Sequence, residues 1–181
     1  ATGIEQVRMT VPWKNQPSGL LWLDNAHLLA GDFNDGFIVQ RDGSASWSVG
    51  RTMPGYWTGM RSIGTDRVVV CALGGQLVER DVRTGDRGRT YDGMSDMARA
   101  AAISPDGALL AAVGTDRRLH IFDTQTGDQL LGIMGHAPGR MVTDVIFCAD
   151  GSRVLTIDNA GGLLDWDTRE HRPATTARRP A

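Results

Sequence analysis

Residues 104–123 read SPDGALLAAVGTDRRLHIFD. Ser104-Pro105-Asp106-Gly107 has the chemistry of a tight turn: proline presets one backbone angle, and Asp and Gly accept conformations that other residues avoid. Ala108 to Val113 is then a short apolar run, Gly114-Thr115-Asp116 turns the chain again, and Leu119 to Phe122 is a second run closing on Asp123. Short apolar runs bounded by such residues predict strands. Before the turn, Ala100 to Ser104 is small and apolar and reads as an innermost strand. After Asp123 the polar Thr124-Gln125-Thr126-Gly127-Asp128 reads as a turn, and Gln129 to Met134 reads as an outer strand. The segment therefore holds four strands.

The same pattern recurs along the chain. Arg80-Asp81, Phe122-Asp123 and Trp166-Asp167 each close an apolar run, at spacings of 42 and 44 residues, and Arg41-Asp42 lies 39 residues before Asp81. A second marker keeps phase 15 to 18 residues ahead of them: Asp24-Asn25, Thr65-Asp66, Pro105-Asp106-Gly107 and Asp150-Gly151. The fourth repeat gives strands at Thr143 to Phe147, Arg153 to Ile157 and Leu163 to Asp167. The second gives Gly59 to Ile63, Arg67 to Cys71 and Gln76 to Asp81, and the first gives Leu20 to Leu23, His27 to Ala30 and Phe37 to Asp42. Helical periodicity is absent. A period near 40 residues built of short strands predicts an all-β protein, a β-propeller of four-stranded antiparallel blades with about four blades in this chain. The repeats run approximately over 4–42, 43–81, 82–123 and 124–167. Ile4 to Val11 alternates as a lone strand would, so the chain starts on an outer strand and ends on a third one. Propellers hold four to eight blades, and four repeats predict an arc of a larger ring or a ring closed by self-association.

These repeats resemble the WD-repeat family of β-propellers, most clearly in the third and fourth. The fourth carries Gly135-His136 ahead of its inner strand and Trp166-Asp167 at its end; the third carries the SPDG turn followed by GTDRRLHIFD. The resemblance implies a buried network of the His, a hydroxyl, an Asp before the third strand and the Trp. It assigns a structural signature to His136, Trp166, Asp167, Asp116, Phe122 and Asp123. Asp116 and Asp35 fill the Asp position in repeats three and one, whereas Ala160 stands there in repeat four, so that network is expected to be incomplete. Met94 replaces the His in repeat three, and Arg80 and Arg41 replace the Trp.

Composition narrows the function classes. The 181 residues carry a net charge of −2, which gives no overall electrostatic case for nucleic acid or an anionic membrane. No apolar run approaches the length that spans a bilayer, and the N-terminus lacks a signal pattern, so the expected location is cytoplasmic. Cys71 and Cys148, the two cysteines, fall at different places in non-adjacent repeats and read as buried small apolar residues rather than a disulfide or a metal site. His27, His120 and His171 have no ligand spacing suited to zinc. Asp158 and Asp165 read as solvated turn and strand-face carboxylates. No nucleophile elbow, phosphate-binding loop or catalytic carboxylate pair appears, and no cofactor or metal is expected.

Segments joining an outer strand to the next inner strand gather on one mouth of a propeller, the surface that the family resemblance implies for partners. Trp13, Tyr56, Trp57, Arg99 and Arg140 are the candidate partner-binding residues, because aromatic and Arg side chains are enriched where partners bind. The competing reading is that Trp57, Met97 and Met141 fill the blade tops as core. The expected function is a non-catalytic scaffold that binds a protein or peptide, with self-association or further blades as additional partners. The other reading is a regulatory sensor propeller of a larger bacterial signalling protein fused to a nucleotide-switch, kinase or protease module. Residues 169–181, rich in Arg, Pro, Thr and Ala, are expected to be a disordered tail or linker.

Overall fold

Turn residues set where each strand stops, and the strands then pair in chain order. The computed structural model describes residues 10–41, 47–55 and 57–171. Tyr56, the first part of the Ile4 to Val11 strand and the tail beyond residue 171 lie outside the described residues. Blade 1 comprises β1 (Pro17–Trp22), β2 (His27–Asp32), β3 (Asp35–Arg41) and β4 (Trp47–Pro54). Blade 2 comprises β5 (Gly59–Ile63), β6 (Arg67–Cys71), β7 (Leu77–Asp81) and β8 (Arg87–Tyr91). Blade 3 comprises β9 (Ala98–Ile103), β10 (Leu109–Gly114), β11 (Arg118–Asp123) and β12 (Gln129–Met134). Blade 4 comprises β13 (Val142–Phe147), β14 (Arg153–Asp158) and β15 (Leu163–Asp167). Each sheet is antiparallel with its strands in sequential order. Arg169–His171 form a short 3-10 turn directly after β15. The sheets run out of phase with the sequence repeats: blades 1 to 3 each take three strands from one repeat and the outer strand from the next, and blade 4 has its three described strands from the fourth repeat.

Inner strands contact one another in turn, β1 with β5, β5 with β9 and β9 with β13, so the blades stand face to face in an arc. Between blades 1 and 2, Leu29, Ile38 and Met53 pack on Trp57, Met60, Val68 and Val70. Between blades 2 and 3, Val69, Cys71, Leu77 and Tyr91 meet Leu110, Ala112 and Phe122. Between blades 3 and 4, Ala111, Val113, Leu119 and Ile121 meet Val142, Val145 and Val154. Strand β6 shows why these strands read as continuous apolar runs: Val68 and Val70 point to one neighbour, Val69 and Cys71 to the other, and all four are buried. Burial pushes the Cys71 thiol up to about 12. The inner strands approach closely enough that a Cβ on Gly59 would lie 2.8 Å from the Arg99 carbonyl oxygen. Beside it, Thr58 Oγ1 donates to the Ala98 carbonyl at 2.6 Å, tying blade 2 to blade 3.

Two rims result. On one, each third-strand end bonds to the turn between the first two strands of its blade: Arg41 N–H to Ala26 O, Val82 N–H to Asp66 O, Thr124 N–H to Ala108 O and Thr168 N–H to Ser152 O. The Asp closing the second and third sequence repeats serves this rim. Asp81 Oδ1 accepts from Arg83 and Thr84 N–H at 2.7 and 2.8 Å, and Asp123 Oδ1 accepts from Gln125 and Thr126 N–H at 2.6 and 3.1 Å. A carboxylate that caps its own turn is the physical reason for the repeating Asp. The first turn of blade 4 reuses the blade 3 design with a different atom. Ser104 Oγ donates to Asp106 at 2.6 Å and accepts from Leu109 N–H; Cys148 Sγ donates to Asp150 at 2.8 Å and accepts from Arg153 N–H. Cys148 is thus a half-buried turn residue, correcting its reading as buried apolar filling.

Among the described residues Arg117, in the β10–β11 turn, has a positive φ of 64° outside glycine. Side chains resist that conformation by roughly 1–2 kcal/mol. Arg117→Gly is therefore expected to stabilise the chain by about 1 kcal/mol, read as a higher urea midpoint at unchanged slope.

Candidate functional site at the mouth rim

The opposite rim carries the connections from each blade's outer strand to the next inner strand. Each connection is bonded to the second-to-third-strand turn of the blade it enters. Thr58 N–H donates to Cys71 O, Thr115 N–H to Met97 O, and Asn159 N–H to Met141 O. In blades 1, 3 and 4 a buried carboxylate reinforces the tie.

Blade 4 holds the most complete version. Trp166 Nε1–H can only donate and gives its hydrogen bond to Thr156 Oγ1 at 2.9 Å. Thr156 Oγ1 lies 2.8 Å from His136 Nε2, and His136 Nδ1 lies 2.9 Å from Asp158 Oδ2. The carboxylate can only accept, so one direction uses every group: Trp N–H to Thr, Thr O–H to His136 Nε2, His136 Nδ1–H to Asp. Asp158 Oδ1 also accepts from the N–H groups of Ala160 and Gly162, both at 2.9 Å. The His136 bond, then those two backbone donors, hold its carboxyl down to about 2. This corrects two expectations: Asp158 is buried rather than solvated, and it supplies the acid that Ala160 lacks. The glycine of Gly135-His136 has its own reason, since a Cβ there would lie 2.3 Å from Trp166 Cη2.

Blade 1 places its acid at the equivalent strand end. Asp32, fully buried, accepts from Asn34 and Asp35 N–H on one oxygen and from Lys14 and Asn15 N–H on the other, at 2.6 to 3.2 Å. Burial works to raise that carboxyl, but the four backbone donors outweigh it and hold it below the usual value. Asp35, singled out by family spacing, instead meets Lys14 Nζ at 2.8 Å.

Blade 3 uses Asp116 as expected, with a histidine from a different place. His120 on β11 bonds Asp116 Oδ2 through Nε2 at 2.9 Å and accepts at Nδ1 from Gln129 at 3.1 Å. Burial would raise the Asp116 carboxyl; His120 and the Arg118 and Ser95 N–H groups prevail and lower it. Phe122 is buried between Tyr91, at 5.6 Å edge to face, and the stacked His120 ring at 6.1 Å. Blade 2 differs again. Buried Glu79 accepts from Tyr91 O–H at 2.5 Å and Arg67 at 2.8 Å, while Arg80 reaches the Pro54 and Gly85 carbonyls.

The candidate partner residues separate. Trp57 is 0% exposed, its ring lying over Gly36, so the core reading holds and it presents nothing to a partner. Trp13 is half-buried, packed edge to face on Phe37 at 5.5 Å. Met97 and Met141 are half-buried, Arg99 is half-exposed on β9, and Arg140 is exposed in the β12–β13 connection. Arg61, on β5, lies 3.6 Å from Asp144 on β13. Among the described residues no group of three His, Cys, Asp or Glu side chains could hold a metal ion.

Comparison with known proteins places this geometry. No protein-family model matches the chain. A stretch of 75 residues, 41% of the chain, is 33% identical to WD repeat-containing protein 55 of Homo sapiens and, equally, of Mus musculus, covering 19% of each relative. The crystal structure of the WD40 beta propeller domain of Doa1 superposes with a TM-score of 0.73 over 89% of this chain and 54% of that one, at 16% identity. The chain therefore spans about a fifth of the curated relatives it matches and about half of the solved propeller. Its fold is that of WD-repeat β-propeller blades, as the repeats predict.

Two outcomes test the rim. Thr156→Val strands the Trp166 donor and one His136 nitrogen in a buried site, so unfolding by urea should show a loss of about 1–3 kcal/mol. Asp158 has its folded value lowered from 3.8 to about 2, so its contribution is present above pH 3.8 and disappears as pH falls toward 2. Stability measured against pH should therefore fall through that window, less steeply in Asp158→Asn.

Proposed function

We propose that the chain is a non-catalytic interaction module that presents a pre-ordered mouth rim to a protein or peptide. The observation carrying this reading is the repeated tie between each outer-to-inner connection and the neighbouring turn. Four connections drawn from distant parts of the sequence are fixed before any partner arrives, so binding costs little ordering of the rim. Their tips face solvent: Lys14 to Gln16, Ser95 and Asp96, and Ala137 to Arg140 are exposed. Arg99 and Arg140 are the side chains on which partner contacts are expected to centre, with Trp13 supporting blade 1 from its flank. The likeness to WD-repeat proteins supports an interaction role at the level of the fold. No observation on this structure favours the sensor-module reading.

Selection of a displayed peptide library on the intact chain tests the proposal. Peptides recovered should lose at least tenfold in affinity against Arg140→Ala or Arg99→Ala, about 1.4 kcal/mol or more. Arg83→Ala, on the opposite rim, should leave affinity unchanged. Binders indifferent to both mouth substitutions, or sensitive to Arg83→Ala instead, would contradict it.

A further inference from the structure

On the rim opposite the mouth, ladder register identifies equivalent side chains in the grooves between consecutive blades. One lies at the start of the second strand, one on the third strand and one on the outer strand, all on the face turned toward the next blade. They are His27, Ile38 and Arg51 in blade 1, Arg67, Glu79 and Arg89 in blade 2, and Leu109, Ile121 and Leu131 in blade 3. In blade 3 all three are apolar and pack in the layer against blade 4. In blade 2 the buried Glu79 carboxylate lies 2.8 Å from Arg67 and 3.6 Å from Arg89. In blade 1 the acid is absent: Ile38 stands in its place, directly opposite Arg51 in the ladder.

Arg51 is held in its groove as Arg89 is. Each guanidinium donates through Nη1 to a carbonyl just beyond the third strand of the next blade, Arg51 to Thr84 and Arg89 to Thr124. The difference lies in the counter-charge. Arg51 borders a cavity of about 410 Å³ with Leu23, Ile38 and Val82 among its walls, a volume in the range of small-molecule sites. The two carboxylates at this cavity are already engaged, Asp24 with His27 and Asp66 with Arg83, each at 2.8 Å. Among the described residues Arg51 bonds the Thr84 carbonyl and makes no ion pair. A guanidinium fixed against an apolar wall favours an anion, and a carboxylate matches its planar pair of donors. The cavity of about 420 Å³ between blades 2 and 3 is the contrasting case, since the two arginines lining it already share Glu79.

We propose that the groove between blades 1 and 2 binds a small carboxylic acid, its carboxylate on Arg51 and its short aliphatic stem along Leu23, Ile38 and Val82. The ligand supplies from outside what Glu79 supplies from within blade 2: a carboxylate for the outer-strand arginine and methylenes for the groove wall. A single carboxylate suits the site better than a phosphate dianion, because Asp24 and Asp66 also border the cavity and repel additional negative charge. The site lies on the rim opposite Arg99 and Arg140 and does not depend on what the mouth binds.

Titration of the full 181-residue chain with butyrate at constant ionic strength, followed by NMR, tests this. Butyrate should shift the Arg51 Nε–H resonance and the backbone amides of Leu23, Ile38 and Val82 saturably. Arg51→Met alters an exposed side chain, so its far-UV spectrum should be unchanged, and the same three amides should report at least tenfold weaker binding. Arg99→Ala and Arg140→Ala, at the mouth, should leave the butyrate affinity unaltered. Inorganic phosphate at the same ionic strength should bind more weakly than butyrate. The absence of a saturable shift, an affinity indifferent to Arg51→Met, or phosphate binding as tightly as butyrate would each overturn the proposal.

Discussion

The blade-to-blade packing of this chain follows from one constraint: a sheet that is apolar on both faces must be covered on both faces. Burying apolar surface supplies roughly 25 cal/mol per Å², and the three blade-to-blade layers are where this chain gains it. Blade 3 meets the constraint in full, with every residue of β10 buried. Blade 4 meets it on one side, and blade 1 meets it only in part on its outer face, where Val11, Trp13 and Trp47 pack against buried Ala30, Phe37 and Val39 but Leu20 and Trp22 stand in water, as do Ile146 and Leu163 on blade 4. A repeat architecture transmits this arithmetic to its ends, because each blade contacts only its neighbours.

Packing alone does not position the mouth. A connection that leaves the outer edge of one sheet and enters the inner edge of the next carries backbone N–H groups into a low-dielectric layer, where each needs a partner. Blades 1, 3 and 4 solve this with an acid at or beyond the end of the second strand, reaching the turn with one oxygen and the connection with the other. The variation among blades lies in the groups between. Thr156 and Trp166 bridge to His136 in blade 4, His120 and Gln129 serve in blade 3, and backbone alone serves in blade 1. The rigidity of the rim thus comes from satisfied buried polarity, with few residues repeated from blade to blade.

The strands were legible in the sequence because turn residues mark them independently of what covers their faces. Gly59–Ile63, Arg67–Cys71, Gln129–Met134 and Leu163–Asp167 lie where the turns place them. The acids were less legible. Counting six residues back from the Trp position lands on Ala160 and Asp35, but the carboxylate that matters sits where the second strand ends, and turn length moves that point by two or three residues. Thr156-x-Asp158 at a strand end opposite a Gly-His pair was the available signal. Trp57 could not be assigned from sequence, since a connection has no periodicity to reveal its buried side; Gly36 opens the space for its ring. Cys148 was legible in principle, because Cys148-Ala149-Asp150-Gly151 aligns with Ser104-Pro105-Asp106-Gly107 and a thiol can both donate and accept as a hydroxyl does.

Hydrogen exchange read strand by strand tests the covering constraint most directly, because amide protection follows the free energy of local opening. The slowest amides should lie in β10 and β11, sheathed on both faces, with β15 and β1 exchanging orders of magnitude faster. Uniform protection across the four blades, or β15 as slow as β10, would contradict the account.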